Sequence, residues 1–171
     1  MKDRLKQAYM DVARRFGELS HARRLHVGAI VVRDDRIISI GYNGTPAGWS
    51  NECEDKVYMG RDAGGRSGPE EIETSWPFED EGGRYKLVTK PEVLHAEMNC
   101  LMKLAKSNES GNGACMFITH SPCLECAKCI YQAGIAEIYY EKDYRAQHGL
   151  EFLKKCKIKI EKLVKDTETD N

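Results

Sequence analysis

Apolar residues recur with different periods along this chain, and the changes of period mark its elements. Leu5, Ala8, Tyr9, Val12, Ala13, Phe16 and Leu19 fall at steps of three and four. That spacing predicts an amphipathic helix over roughly residues 3–19, its stripe turned to the core. Gly28–Val32 and Arg36–Ile40 are β-rich runs around Arg33-Asp34-Asp35, the pattern of a hairpin. A second helical stretch carries His95, Glu97, Asn99, Leu101 and Leu104. Cys115–Thr119 reads as a strand leading into Ser121-Pro122-Cys123, and the helix after it should stop near Gly134, a natural C-terminal cap. Glu137–Tyr140 reads as a strand, residues 148–155 as a short helix and Ile158–Val164 as a last alternating strand. From Lys165 onward the chain is polar and is expected to fray.

Residues 44–92 interrupt this order. They hold many glycines and charges with little periodicity, including Arg61-Asp62-Ala63-Gly64-Gly65-Arg66. Such a stretch reads as a long loop or insertion, here a lid or intersubunit segment gathered around Trp49, Trp76 and Phe78. With no internal repeat and no second periodic block, residues 1–171 are expected to form a single α/β domain.

Two short clusters carry chemistry: His95-Ala96-Glu97 and Pro122-Cys123-Leu124-Glu125-Cys126. A structural zinc site usually has four protein ligands, whereas a catalytic one has three and leaves a position for water. His95, Cys123 and Cys126 make three. Two thiolates and a neutral imidazole cancel the charge of the ion, so its water is acidified less than at an all-histidine site and a nearby base is needed. Glu97 is the candidate. Cysteines three apart share a helix face, and the positive end of that helix favours their thiolates. Two residues apart, His95 and Glu97 would diverge on an ideal helix, so His95 is placed at the helix entrance. A redox pair or half of a structural zinc site, extended by Cys129, is the competing reading of C-x-x-C.

Composition narrows the field. The chain has 171 residues, 41% apolar, enough for a real core, and a formal charge of −1. Near-neutrality gives no general attraction to nucleic acid polymers, so a small nucleotide is the favoured partner. No apolar run is long enough for a membrane and no signal-peptide core is evident, which predicts a cytoplasmic protein. Seven cysteines, an odd number, argue against a disulfide framework. His21, His26, His120 and His148 form no second cluster of metal spacing.

The pattern H-x-E with P-C-x-x-C resembles the zinc-dependent nucleobase and nucleotide deaminases, in which the glutamate shuttles protons and binds no metal. Val27-Gly28-Ala29-Ile30-Val31-Val32 and Gly41-Tyr42-Asn43-Gly44-Thr45-Pro46-Ala47-Gly48, taken with these motifs, resemble the deoxycytidylate (dCMP) deaminase family across roughly residues 5–163. The resemblance implies a three-layer α/β/α cytidine-deaminase-like fold with a mixed central sheet of about five strands. It implies one catalytic Zn2+ and hydrolysis of dCMP to dUMP and ammonia, with water attacking C4 and Glu97 as base and acid. Arg24, Asn43, Thr45, Asn99, Ser121, Tyr144 and Arg145 are the expected substrate-binding residues, the arginines for the 5′-phosphate. Gly41, Tyr42, Asn43 and Gly44 are expected to help hold a regulatory triphosphate, dCTP activating and dTTP inhibiting, with Mg2+ accompanying it. A homo-oligomer, a hexamer for preference, is implied too. Deamination of free (deoxy)cytidine or of dCTP, and a noncatalytic zinc and nucleotide-binding module, are the alternatives.

Overall fold

Successive residues of the central strands point to opposite sides of a sheet, and here both sides are apolar. In the computed structural model, which describes residues 1–60 and 69–164, Ala29, Val31, Met116, Ile118 and Ile138 enter one core, and Ile30, Val32, Phe117 and Tyr139 enter another. The strands behind this pattern are β1 (Gly28–Arg33), β6 (Cys115–His120) and β7 (Glu137–Lys142). The first core is covered by α3 (Ala96–Ala105), α4 (Leu124–Gln132) and α5 (His148–Lys155) through Cys100, Leu101, Leu104, Ala127, Ile130 and Leu153. The second is covered by α1 (Asp3–Gly17) through Tyr9, Met10 and Ala13, with Phe117 stacked on Tyr139 at 4.7 Å between ring centroids. Burying each of these larger side chains contributes roughly 1.5–3 kcal/mol before entropy is counted.

The sheet is mixed, as expected, with five strands in the order β2-β1-β6-β7-β8, where β2 is Arg36–Tyr42 and β8 is Lys159–Lys162. β1 runs antiparallel to β2 and β6, whereas β6, β7 and β8 are parallel. Asp34 and Asp35 take φ of 50° and 56°, the two-residue turn that suits a right-twisted hairpin. This register brings the start of β1 and the ends of β2, β6 and β7 to one rim of the sheet.

Several sequence expectations change in detail. Helix α1 ends at Gly17, Leu19 is half exposed, and Met10, outside the predicted stripe, is fully buried. A Cβ on Gly17 would lie 2.9 Å from the Gly28 nitrogen, so the chain turns toward β1 at that point. The last strand is shorter than residues 158–164. Within residues 44–92 lie β3 (Glu54–Tyr58), α2 (Pro69–Ser75), β4 (Phe78–Asp80) and β5 (Gly83–Thr89). The three strands form an antiparallel sheet in the order β3-β5-β4. Tyr85 is its aromatic centre, 5.6 Å from Tyr58 and 5.5 Å from Phe78, while Trp49 is exposed and Trp76 lies under Lys86. The expected gathering around both tryptophans is thus replaced by a tyrosine cluster. Gly44 and Leu94 exchange two backbone hydrogen bonds, 3.1 and 2.9 Å, closing the neck of the segment. The Arg61–Arg66 run and the 165–171 tail lie outside the described residues.

Candidate zinc and nucleotide site

Both zinc motifs sit at helix entrances on the same rim. His95 is the N-cap of α3, with extended backbone (φ −68°, ψ 152°), and Cys123 is the N-cap of α4 (φ −69°, ψ 169°). The Cys126 backbone N–H donates to Cys123 Sγ at 3.5 Å, so the thiolate fills the place of a capping oxygen. His95 Nδ1 lies 3.6 Å from Cys123 Sγ and 3.5 Å from Cys126 Sγ. Bonds of about 2.1 Å to nitrogen and 2.3 Å to sulfur at a tetrahedral angle separate N from S by about 3.6 Å. Both N–S separations therefore match those around one zinc ion, the three candidate ligand atoms lie within 4.8 Å of one another, and they are the one such group among the described residues.

Electrostatics agree with that fit. Hydrogen bonds from Cys126, and then from His95, hold the Cys123 thiol down at about 4, and the Cys123 thiolate together with burial pushes the Cys126 thiol up. A divalent cation is the partner that lets both sulfurs ionise. Glu97, in the first turn of α3 and only 4% exposed, has its carboxyl pushed up to about 7 by burial. It borders the same cavity as His95 and Cys123, a cleft of about 560 Å³.

Arg24, Asn43, Ser121, Tyr144 and Arg145 line this cavity as well. Ser121 Oγ accepts the Tyr144 N–H at 2.7 Å and the Ser121 N–H donates to the Lys142 carbonyl at 2.8 Å, so the turn bearing Cys123 is stitched to the segment bearing Tyr144 and Arg145. Asp143, paired with Lys162, anchors that segment to β8. The Arg145 guanidinium lies 5.6 Å over the Tyr144 ring. The Asn43 amide is engaged on both sides, accepting from the Val27 N–H and donating to the Leu25 carbonyl, each at 2.8 Å.

Two expected substrate contacts are absent from the cavity wall. Asn99 Nδ2 donates to the Tyr42 carbonyl at 2.8 Å, and Thr45 Oγ1 to the Ser50 carbonyl at 2.7 Å. Both side chains answer a backbone carbonyl of the Tyr42–Ser50 stretch. Gly41 is explained by packing: a Cβ there would lie 2.3 Å from the Ala96 carbonyl oxygen and 2.5 Å from the Cys100 nitrogen. Lys103 lies 5.4 Å over the Tyr42 ring, and Gly44 forms the neck pair described above.

Other residues at the site gave no signal in the sequence. Gly149 lets α5 meet the metal turn, since a Cβ there would come within 2.0 Å of the Pro122 carbonyl oxygen. His120 borders the cavity, its Nδ1 3.1 Å from Thr119 Oγ1, and burial keeps its pKa below the ordinary value. Glu54, Val88 and Thr89, from the 44–92 segment, form part of the wall.

Comparisons with known proteins point the same way. A family profile described as the cytidine and deoxycytidylate deaminase zinc-binding region matches residues 3–142. ComE operon protein 2 of Bacillus subtilis is 31% identical over 144 residues, 84% of this chain and 62% of that protein. Human deoxycytidylate deaminase is 33% identical over 136 residues, covering 79% of this chain and 63% of the relative. The chain thus spans less than two thirds of the length of these two relatives. The crystal structure of the dCMP deaminase of cyanophage S-TIM5, in complex with dCMP and dUMP, superposes with a TM-score of 0.74 at 39% identity, over 95% of this chain and 99% of that one. The residues matched by the profile include both zinc clusters, and the chain belongs to the cytidine and deoxycytidylate deaminase zinc-binding family.

Proposed function

We propose that this chain hydrolyses dCMP to dUMP and ammonia and so supplies dUMP for thymidylate synthesis. The observation that carries this reading is one cavity bordered by His95 and Cys123 of the His/Cys/Cys donor group, by the buried Glu97 carboxyl and by two arginines. Zinc held by His95, Cys123 and Cys126 supplies a Lewis acid that makes water nucleophilic near neutral pH. Glu97 accepts a proton from the attacking water and returns protons to N3 and to the departing amine of the cytosine. Its buried position at the cavity edge suits both roles, because the same carboxyl can take a proton from the water and hand it on to the base. Arg24 and Arg145 bind the 5′-phosphate, and the volume of about 560 Å³ lies within the range of small-molecule sites. The match to a cyanophage enzyme whose crystal holds dCMP and dUMP supports this substrate.

In the same reading dCTP activates and dTTP inhibits through the Gly41–Gly48 loop, with Mg2+ on the triphosphate, in a cytoplasmic homo-oligomer, a hexamer for preference. Asn99 and Lys103 couple Tyr42 to α3, whose first turn holds Glu97, so a ligand on that loop has a short route to the chemistry. The test is deamination of dCMP, deoxycytidine and CMP by the zinc-loaded protein, each with and without dCTP, beside light scattering for its size. Selective turnover of dCMP, raised by dCTP, supports the whole reading. Turnover of deoxycytidine alone moves the chain to nucleoside salvage, and no turnover leaves a binding module.

A further inference from the structure

Glu54 and Thr89 face each other as a register pair at the end of the β3–β5 ladder, and both border the cavity. The Glu54 carboxylate accepts the Arg23 backbone N–H at 3.0 and 3.1 Å and the Arg24 N–H at 3.2 Å. Thr89 Oγ1 accepts from Arg24 Nη1 at 3.1 Å. Arg24 is thereby held at both ends, its main chain by one strand and its guanidinium by the neighbouring strand. Its Nε and Nη2 have no hydrogen-bond partner among the described residues, and the residue lies on the cavity wall. Arg23 departs the other way, its guanidinium 5.8 Å over the Phe78 ring of the same small sheet.

Residues 21–27 have no helix or strand to stiffen them, so an arginine there would otherwise sample many rotamers. We infer that Glu54 and Thr89 are positioning residues, through which the three-stranded sheet pre-sets Arg24 for the 5′-phosphate and keeps Arg23 out of that role. This rests on the reading of Arg24 as a phosphate ligand. A charge-assisted clasp such as the Glu54 carboxylate makes is stronger than a neutral one.

The experiment is steady-state kinetics of dCMP deamination by the zinc-loaded protein for Glu54→Ala, Thr89→Val, Arg24→Ala and the two double variants with Arg24→Ala. Glu54→Ala and Thr89→Val should each raise KM roughly three- to tenfold, the scale of ordering one flexible side chain at binding, with kcat within about twofold. Arg24→Ala should raise KM further, and neither second change should add to it, because both act through the missing guanidinium. Glu54→Gln, which keeps one acceptor oxygen, should fall between wild type and Glu54→Ala. An unchanged KM in Glu54→Ala and Thr89→Val beside a raised KM in Arg24→Ala overturns the positioning role alone. Additive losses in the double variants, or kcat falling together with thermal stability in both single variants, overturn it too. An unchanged KM in Arg24→Ala removes the phosphate reading itself.

Discussion

Replacing Gly41 by alanine separates two explanations of the glycine-rich run, a backbone that touches a nucleotide and a backbone that admits a helix. The added Cβ would stand 2.3 Å from the Ala96 carbonyl oxygen, more than 1 Å inside the ordinary contact limit of 3.4 Å, and 2.5 Å from the Cys100 nitrogen. Both obstacles are main chain, so no rotamer change relieves them; α3 must shift from β2 by about 1 Å. The first turn of α3 holds Glu97, and His95 caps it. Misplacing catalytic groups by about 1 Å can cost roughly 10²-fold in rate. Overpacking a close helix–strand contact costs roughly 1–3 kcal/mol, and for a domain of this size each kcal/mol lowers the melting midpoint by about 2–4 °C. Turnover of dCMP without any triphosphate, with a thermal melt of the same zinc-loaded sample, measures both. Near wild-type kcat and melting midpoint in Gly41→Ala would refute the packing account. Loss of the dCTP response alone would return Gly41 to the regulatory site.

Glu97→Gln should keep its zinc, measured by metal analysis, while ammonia release falls by about 10²- to 10⁴-fold; normal turnover would exclude Glu97 as the proton carrier. Chelation should remove one zinc per chain, abolish deamination and lower the melting midpoint, and added Zn2+ should restore all three; activity that survives complete metal removal would exclude a zinc enzyme. The Tyr139 hydroxyl, and Lys159 at 3.0 Å, hold the Glu137 carboxyl below the usual range. With the folded pKa lowered, this stabilisation is present above the ordinary glutamate pKa of about 4.3 and is lost as pH falls through the lowered value. Glu137→Gln should therefore flatten the acid limb of melting midpoint against pH, and an unchanged limb would show that the pair contributes nothing.

The candidate metal-ligand group was legible in the sequence because each member depends on its immediate neighbours: a histidine ahead of a helical run, and two cysteines three apart at the next helix entrance. The central strands were legible for the same local reason. The side of the cavity formed by Glu54 and Thr89 was not, since β3 is mostly exposed and lacks alternation, and Thr89, at the end of the alternating β5, belongs to no motif. Asn99 illustrates a deeper ambiguity, because an amide that answers the Tyr42 carbonyl and one that meets a ligand look identical along the chain. Gly149 carries no motif at all, and only the approach of α5 to Pro122 explains it.

The paired hydrogen bonds between Gly44 and Leu94 bring the two ends of the 45–93 segment together at one neck. Once its ends are tied, doubling the length of such a segment changes the closure free energy by only about 0.6 kcal/mol. This side of the cavity can thus be lengthened or shortened with little strain on helices α3 and α4. The segment contributes Glu54, Val88 and Thr89 to the cavity, so an exchange at this neck would alter one side of the wall while leaving His95, Cys123, Cys126 and Arg145, all outside the segment, in place.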